Sequence, residues 1–223
     1  KSLIIDYYCG DFLFKPFKGD HLEIAANKLN VLQLITLLHQ EDCDLVTISS
    51  IVKSDPLLSY QLLRLANSPI FTSAPIAAIE QAIMRLGIIN LKNWIMLFSM
   101  KNISQKPIEV LDSGLIRAYM IQEIAKKNQD INSQSAYATG LLSILDSLLN
   151  IPMMELTSYI SLSPDIHKAL TEHTGPLGEL LALISAYELG NWDYVSPGAI
   201  NELELSKLYI ESLAFIQQTN HRI

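Results

Sequence analysis

The stretch SDPLLSYQLLRLANSPIF (54–71) most constrains what this chain can fold into. Asp55 can accept the free amide hydrogens of a first helical turn, and Pro56 suits the first helical position, where its missing N–H costs nothing. An amphipathic run follows, with Arg64 inside it. Asn67, Ser68 and Pro69 then stop it. A helix this short is marginal alone and must bury its apolar stripe against neighbours.

The same punctuation recurs along the chain. Leu22, Ala25, Ala26, Leu29, Leu32, Ile35 and Leu38 form a helical stripe. Asp44 caps LVTISSIVK, and helices are expected near 77–86 and 88–101, split at Gly87. A polar break at 102–108 separates these from helices near 109–128, 133–149, 152–160, 164–173 (opened by Pro164), 175–190 and 201–218, with a linker at Pro197. The expected fold is all-α: about a dozen short helices in two halves, 20–101 and 108–219. Residues 3–14, LIIDYYCGDFLF, read instead as a strand that must pair with something.

Composition removes several function classes. The formal net charge is −7 and the basic residues are scattered, which disfavours a nucleic-acid role. No apolar run approaches the ~20 residues needed to span a bilayer, so no membrane partner is expected. The two cysteines, Cys9 and Cys43, form no CxxC pair, and the expected location is cytoplasmic.

The usual signatures of catalysis are absent. The histidines form no HExxH, and His167 and His173 stand six apart, off the i, i+4 spacing of helical zinc ligands. Cys43 lies between Asp42 and Asp44, an anionic setting that disfavours a thiolate. No glycine-rich phosphate loop and no GxSxG elbow occur. No cofactor, metal or catalytic residue is assigned.

One pattern is specific. Asp55-Pro56, Leu62-Leu63-Arg64, Asn67-Ser68, Ala82-Ile83, Leu86-Gly87 and Trp94 resemble the signature of the HDOD domain family, over roughly residues 20–215. The resemblance implies an HD-like helical bundle related to metal phosphohydrolases but without their ligands. In HD hydrolases a Gly-Leu-Leu-His-Asp run carries paired metal ligands. Here the run is GLLSILDSLL (140–149), with Ser143 and Ile144 at the His-Asp position and Asp146 displaced by two residues. Arg117 stands where such enzymes place another histidine, and a cation there opposes a metal.

The N-terminal IDYYCGDFLFKPF (5–17) resembles the last strand of an EAL cyclic di-GMP phosphodiesterase barrel, departing at Cys9, where that family carries a pocket glutamine. The resemblances together imply residues 1–18 as the tail of an upstream barrel or linker and 19–223 as an HDOD domain. The expected role is non-catalytic regulation in a cyclic di-GMP-related bacterial pathway, through a protein partner, a neighbouring signalling domain or a homodimer. Asp55, Pro56, Arg64, Asn67, Ser68, Gly87 and Trp94 are the signature and candidate interaction residues. A nucleotide sensor lined by Ser143, Asp146 and Arg117, and a residual metal phosphohydrolase, are the alternatives.

Overall fold

Helix caps chosen by single side chains organise the computed structural model, which describes residues 26–39, 43–68, 76–103, 106–195 and 200–220. The first five helices are α1 (Ala26–His39), α2 (Leu45–Ser54), α3 (Pro56–Ala66), α4 (Ile79–Leu86) and α5 (Ile88–Ile103). Eight follow: α6 (Ile108–Ala125), α7 (Ser133–Leu142), α8 (Leu145–Leu149), α9 (Met153–Leu156), α10 (Pro164–Thr171), α11 (Gly175–Glu188), α12 (Trp192–Val195) and α13 (Glu202–Asn220). Every regular element among the described residues is helical, giving the all-α, HD-like bundle that the sequence implies. The strand expected at 3–14, with Cys9, lies outside the described residues, as do Pro69 and Pro197.

The caps act as their chemistry dictates. Asp44 accepts the Thr47 amide at 2.8 Å and starts α2. Asp55 accepts the amides of Leu57 and Leu58 at 2.8 and 3.1 Å, starting α3, while its own N–H donates to Val52 and closes α2. One residue therefore makes the whole α2–α3 corner, and an N-cap of this kind stabilises by about 1 kcal/mol. Gly87, at φ +75°, turns α4 into α5 in a conformation that side-chain-bearing residues avoid.

One expected element divides. The helix anticipated over 133–149 breaks at Ser143-Ile144 into α7 and α8. The Ser143 hydroxyl donates to the Gly140 carbonyl at 2.7 Å, a local polar bond that competes with regular helix. Ile144 takes φ −102° and ψ 0°, and its side chain enters the core, 1% exposed. Asn150, at φ 54°, then ends α8. The helix expected at 152–160 shortens to α9, and α12 is an additional turn that its sequence did not announce.

The core is continuous across both groups of helices. In the first, α1 packs along α5; in the second, α6 is covered by α7, α11 and α13. The α6–α7 crossing is the tightest feature. A Cβ on Gly140 would lie 2.4 Å from the Ala118 backbone nitrogen, so only glycine admits this approach. Across the groups, the Lys28 ammonium donates to the Leu149 carbonyl at 2.8 Å, and the Ser161 amide donates to the Thr36 hydroxyl at 3.2 Å.

Two outcomes follow from this packing. Gly140→Ala forces α6 and α7 apart and lowers unfolding free energy by about 2–3 kcal/mol in urea titration; a loss under about 0.5 kcal/mol would mean the crossing is not tight. His39 ends α1, with its Nδ1–H donating to the Ile35 carbonyl at 2.9 Å. Burial pushes its pKa below the ordinary 6.5, against that backbone bond and with help from Lys92. The unfolded chain therefore binds the extra proton first, and stability drops as pH falls below about 6.5. Denaturation midpoints of wild type measured against His39→Gln from neutral to mildly acidic pH read this: wild type loses ground, and parallel profiles would refute the assignment.

Candidate functional site

The second group of helices brings together Arg117, Ser143 and Ile144, the residues that the sequence resemblance singles out. Arg117 projects from the middle of α6, Ser143 and Ile144 form the α7–α8 corner, and Glu188 is the last residue of α11. The Arg117 guanidinium donates through Nε and Nη2 to Glu188 Oε2, each at 2.8 Å. Its Nη1 donates to the Ser143 hydroxyl at 3.1 Å, which passes its own proton to Gly140. One cation thus ties three helices in a largely buried setting, the two charged side chains being 14% and 17% exposed.

Beside this network the space is apolar. Ile144 packs over Gly114 of α6 so closely that a Cβ there would sit 2.6 Å from its terminal methyl. Asp146 lies half-buried, its Oδ1 accepting the Ser147 amide at 2.7 Å and hydroxyl at 3.3 Å. Burial raises the Asp146 carboxyl above the usual range, while the Ser147 bonds and the Arg117 charge oppose it. Burial likewise raises Glu188 against the pull of Arg117, and its Oε1 has no hydrogen-bond partner among the described residues. Among the described residues, no three His, Cys, Asp or Glu side chains converge as a metal site requires. The arrangement holds helices together: the Arg117 guanidinium joins α6 to the α7–α8 corner and to α11.

The signature residues of the first group divide by role. Asp55 and Pro56 build the α2–α3 corner. Asn67 ends α3, and its side chain does more: Nδ2 donates to the Ile76 carbonyl and Oδ1 accepts the Ile76 amide, both at 2.8 Å. The carbonyl of Ala66 at the end of α3 is bound by Arg85 of α4, at 3.1 Å. Arg64 instead is exposed and makes no hydrogen bond or ion pair with a described residue. It shares a helix face with Leu57 and Tyr60, which are 52% and 62% exposed. Trp94 is buried and stacked on Phe98, ring centroids 5.4 Å apart. Its indole N–H and the Ser68 hydroxyl find no hydrogen-bond partner among the described residues.

Two of the recesses on the described surface differ sharply in character. Leu45, Val46, Ile83 and Met84 line an apolar groove of about 490 Å³ between α2 and α4, crossed at one edge by the Lys53–Glu80 ion pair. A polar pocket of about 360 Å³ lies between α1 and α5 on one side and α7 and α10 on the other. Glu188, the pocket and the Asn67 clamp are the features that the sequence did not disclose. Glu188 sits near the end of a long apolar helix, and an acid in such a place is a signal only once its partner is known.

The HDOD domain family matches residues 27–158. The uncharacterized protein YuxH of Bacillus subtilis is 28% identical over 211 residues, covering 92% of this chain and 52% of that protein. A protein of Vibrio cholerae named cyclic di-GMP phosphodiesterase CdgJ is 31% identical over 192 residues, covering 85% of this chain and 44% of that protein. The chain spans about half the length of these curated relatives. No solved structure matches.

A double-mutant cycle measures the Arg117–Glu188 tie. Glu188→Leu alone leaves a largely buried guanidinium short of its partner and costs roughly 2 kcal/mol. Arg117→Met with Glu188→Leu recovers most of that loss, because apolar groups of similar size replace both charges. Additive losses in thermal melts would show that the two side chains act independently.

Proposed function

From the premise that this chain belongs to the HDOD family, we propose that it is a non-catalytic regulatory module in cyclic di-GMP-related signalling, acting on a neighbouring signalling domain. The observation that supports the proposal is the run GLLSILDSLL, whose resemblance to an HD run puts Ser143 and Ile144 at the His-Asp position; Ile144 packs over Gly114, and Arg117 is joined to Ser143 and Glu188. Similarity to a Vibrio cholerae protein named as a cyclic di-GMP phosphodiesterase supports the pathway. The N-terminal likeness to the end of an EAL barrel supports a phosphodiesterase-type neighbour in a longer polypeptide, in an aqueous compartment such as the cytoplasm.

The face for that neighbour is the exposed side of α3. Leu57, Tyr60 and Arg64 lie on it one turn apart, and tyrosine and arginine are the residue types that dominate binding energy at protein interfaces. Asp55 and Asn67 hold the two ends of this helix, so the face is presented on a rigid element. The family signature and the proposed contact thus coincide on one helix for different reasons: its ends are structural and its outer side is free.

Hydrogen exchange on the full-length polypeptide tests this. Peptides covering 56–66 exchange more slowly there than in residues 19–223 alone, and Tyr60→Ala with Arg64→Glu abolishes the difference while the melting temperature stays put. Equal exchange in both forms would remove the docking face. Separately, residues 19–223 incubated with Mn²⁺ and cyclic di-GMP yield no hydrolysis product; turnover with stoichiometric bound metal would overturn the non-catalytic reading.

A further inference from the structure

The polar pocket between the two groups of helices has a composition suited to a ligand of definite chemistry. Its lining includes His39 from α1, Lys92 and Asn93 from α5, Gln134 from α7 with its cap Asn132, and Ser163 from the start of α10. Among the described residues, no carboxylate lines it. Lys92 has no acidic partner among the described residues, so its positive charge faces the recess uncompensated by any side chain of the lining. Three carboxamides, of Asn93, Asn132 and Gln134, and two hydroxyls, of Ser135 and Ser163, stand around it as further hydrogen-bonding groups. The volume, about 360 Å³, lies within the range of small-molecule sites.

The local bonding leaves these groups available in different degrees. The Asn132 side-chain oxygen Oδ1 accepts the amides of Gln134 and Ser135, at 2.9 and 3.0 Å, so this residue serves mainly to hold α7 in place. His39 gives Nδ1–H to Ile35, which leaves Nε2 as the ring nitrogen without an assigned bond. Ser163 makes no side-chain cap bond to α10. Burial, helped by the Lys92 charge, holds His39 below its ordinary pKa, so the lysine is the cation of this neighbourhood and the imidazole its neutral companion.

We propose that this pocket binds a small anion with hydrogen-bonding groups, a phosphate monoester or a carboxylate, with Lys92 as its counter-charge and Asn93, Gln134 and Ser163 as donors. Its position gives binding a consequence. The ligand would touch α1 and α5 from one group and α7 and α10 from the other, adding contacts across a seam that is otherwise bridged by such bonds as Lys28–Leu149 and Thr36–Ser161. A molecule that binds only the assembled seam stabilises it by mass action. The pocket is separate from the Arg117–Glu188 network and from the outer face of α3, so the site stands whether or not that face docks a neighbour.

The test is titration of the full chain, at fixed ionic strength, with inorganic phosphate, glycerol 3-phosphate and succinate, followed by thermal melting and by side-chain amide NMR. At least one probe gives a saturable rise in melting temperature and shifts the Asn93 and Gln134 amide signals. Lys92→Met, which keeps the length and removes the charge, weakens that probe at least tenfold; Asn93→Ala weakens it several-fold; and Lys101→Gln, an exposed lysine elsewhere on α5, changes nothing. Because Lys92 and Asn93 pack differently, loss of folding in one variant leaves the other to decide. Equal affinity in wild type and either folded pocket variant, shifts confined to other amides, or no saturable response to any of the three probes would each overturn the proposal.

Discussion

The close crossing of α6 and α7 at Gly140 is the constraint on which the second group of helices depends. Backbone meets backbone there, with no room for a single extra carbon against Ala118. That contact fixes the path of α7, and so fixes where its last turn delivers Ser143 and Ile144. Ile144 can reach into the core because Gly114 leaves a space of its shape on the facing helix. Arg117, one residue before Ala118 on α6, is then held beside the corner and extends to Glu188. The two glycines therefore set the geometry, and the ion pair adds a bond among elements already placed.

The Arg117 network shows how one side chain can tie three parts of a helical scaffold. A metal centre links helices through coordination bonds; here Arg117 links α6, the α7–α8 corner and α11 through hydrogen bonds. Glu188 is less than ideally served, since burial disfavours its charge and one of its oxygens is unpartnered among the described residues. A network of this kind contributes more to which arrangement forms than to how stable it is.

What could be read from the sequence was what depends on near neighbours. Asp44, Asp55-Pro56 and Gly87 begin and turn helices through groups within a few residues of themselves, and the all-α class followed from such signals. The break at Ser143-Ile144 was hidden because its cause is partly distant: Ile144 leaves regular helix to occupy space beside Gly114, thirty residues earlier. Asn67 was legible as a stop, while its paired bonds to Ile76 were not, because they close a separation of nine residues. Arg64 stands exposed in the last turn of α3, and it is Arg85, from the next helix, that binds the Ala66 carbonyl there, a partner no local signal names. Ser143 and Ile144 could be singled out from the residue types alone; the tie between Arg117 and Glu188, seventy-one residues apart, needed the fold.

The placement of the two tryptophans has a practical consequence. Trp94 is buried on α5 against Phe98, whereas Trp192 is 49% exposed at the start of α12, edge-on to Tyr187 of α11 with ring centroids 5.6 Å apart. One indole therefore emits from an apolar interior in the first group, and the other from a half-wetted surface in the second. Their fluorescence is separable by wavelength and by access to a dissolved quencher. The chain thereby carries an optical reporter in each group of helices, and the two signals distinguish a molecule that melts as one body from one that opens along its seam.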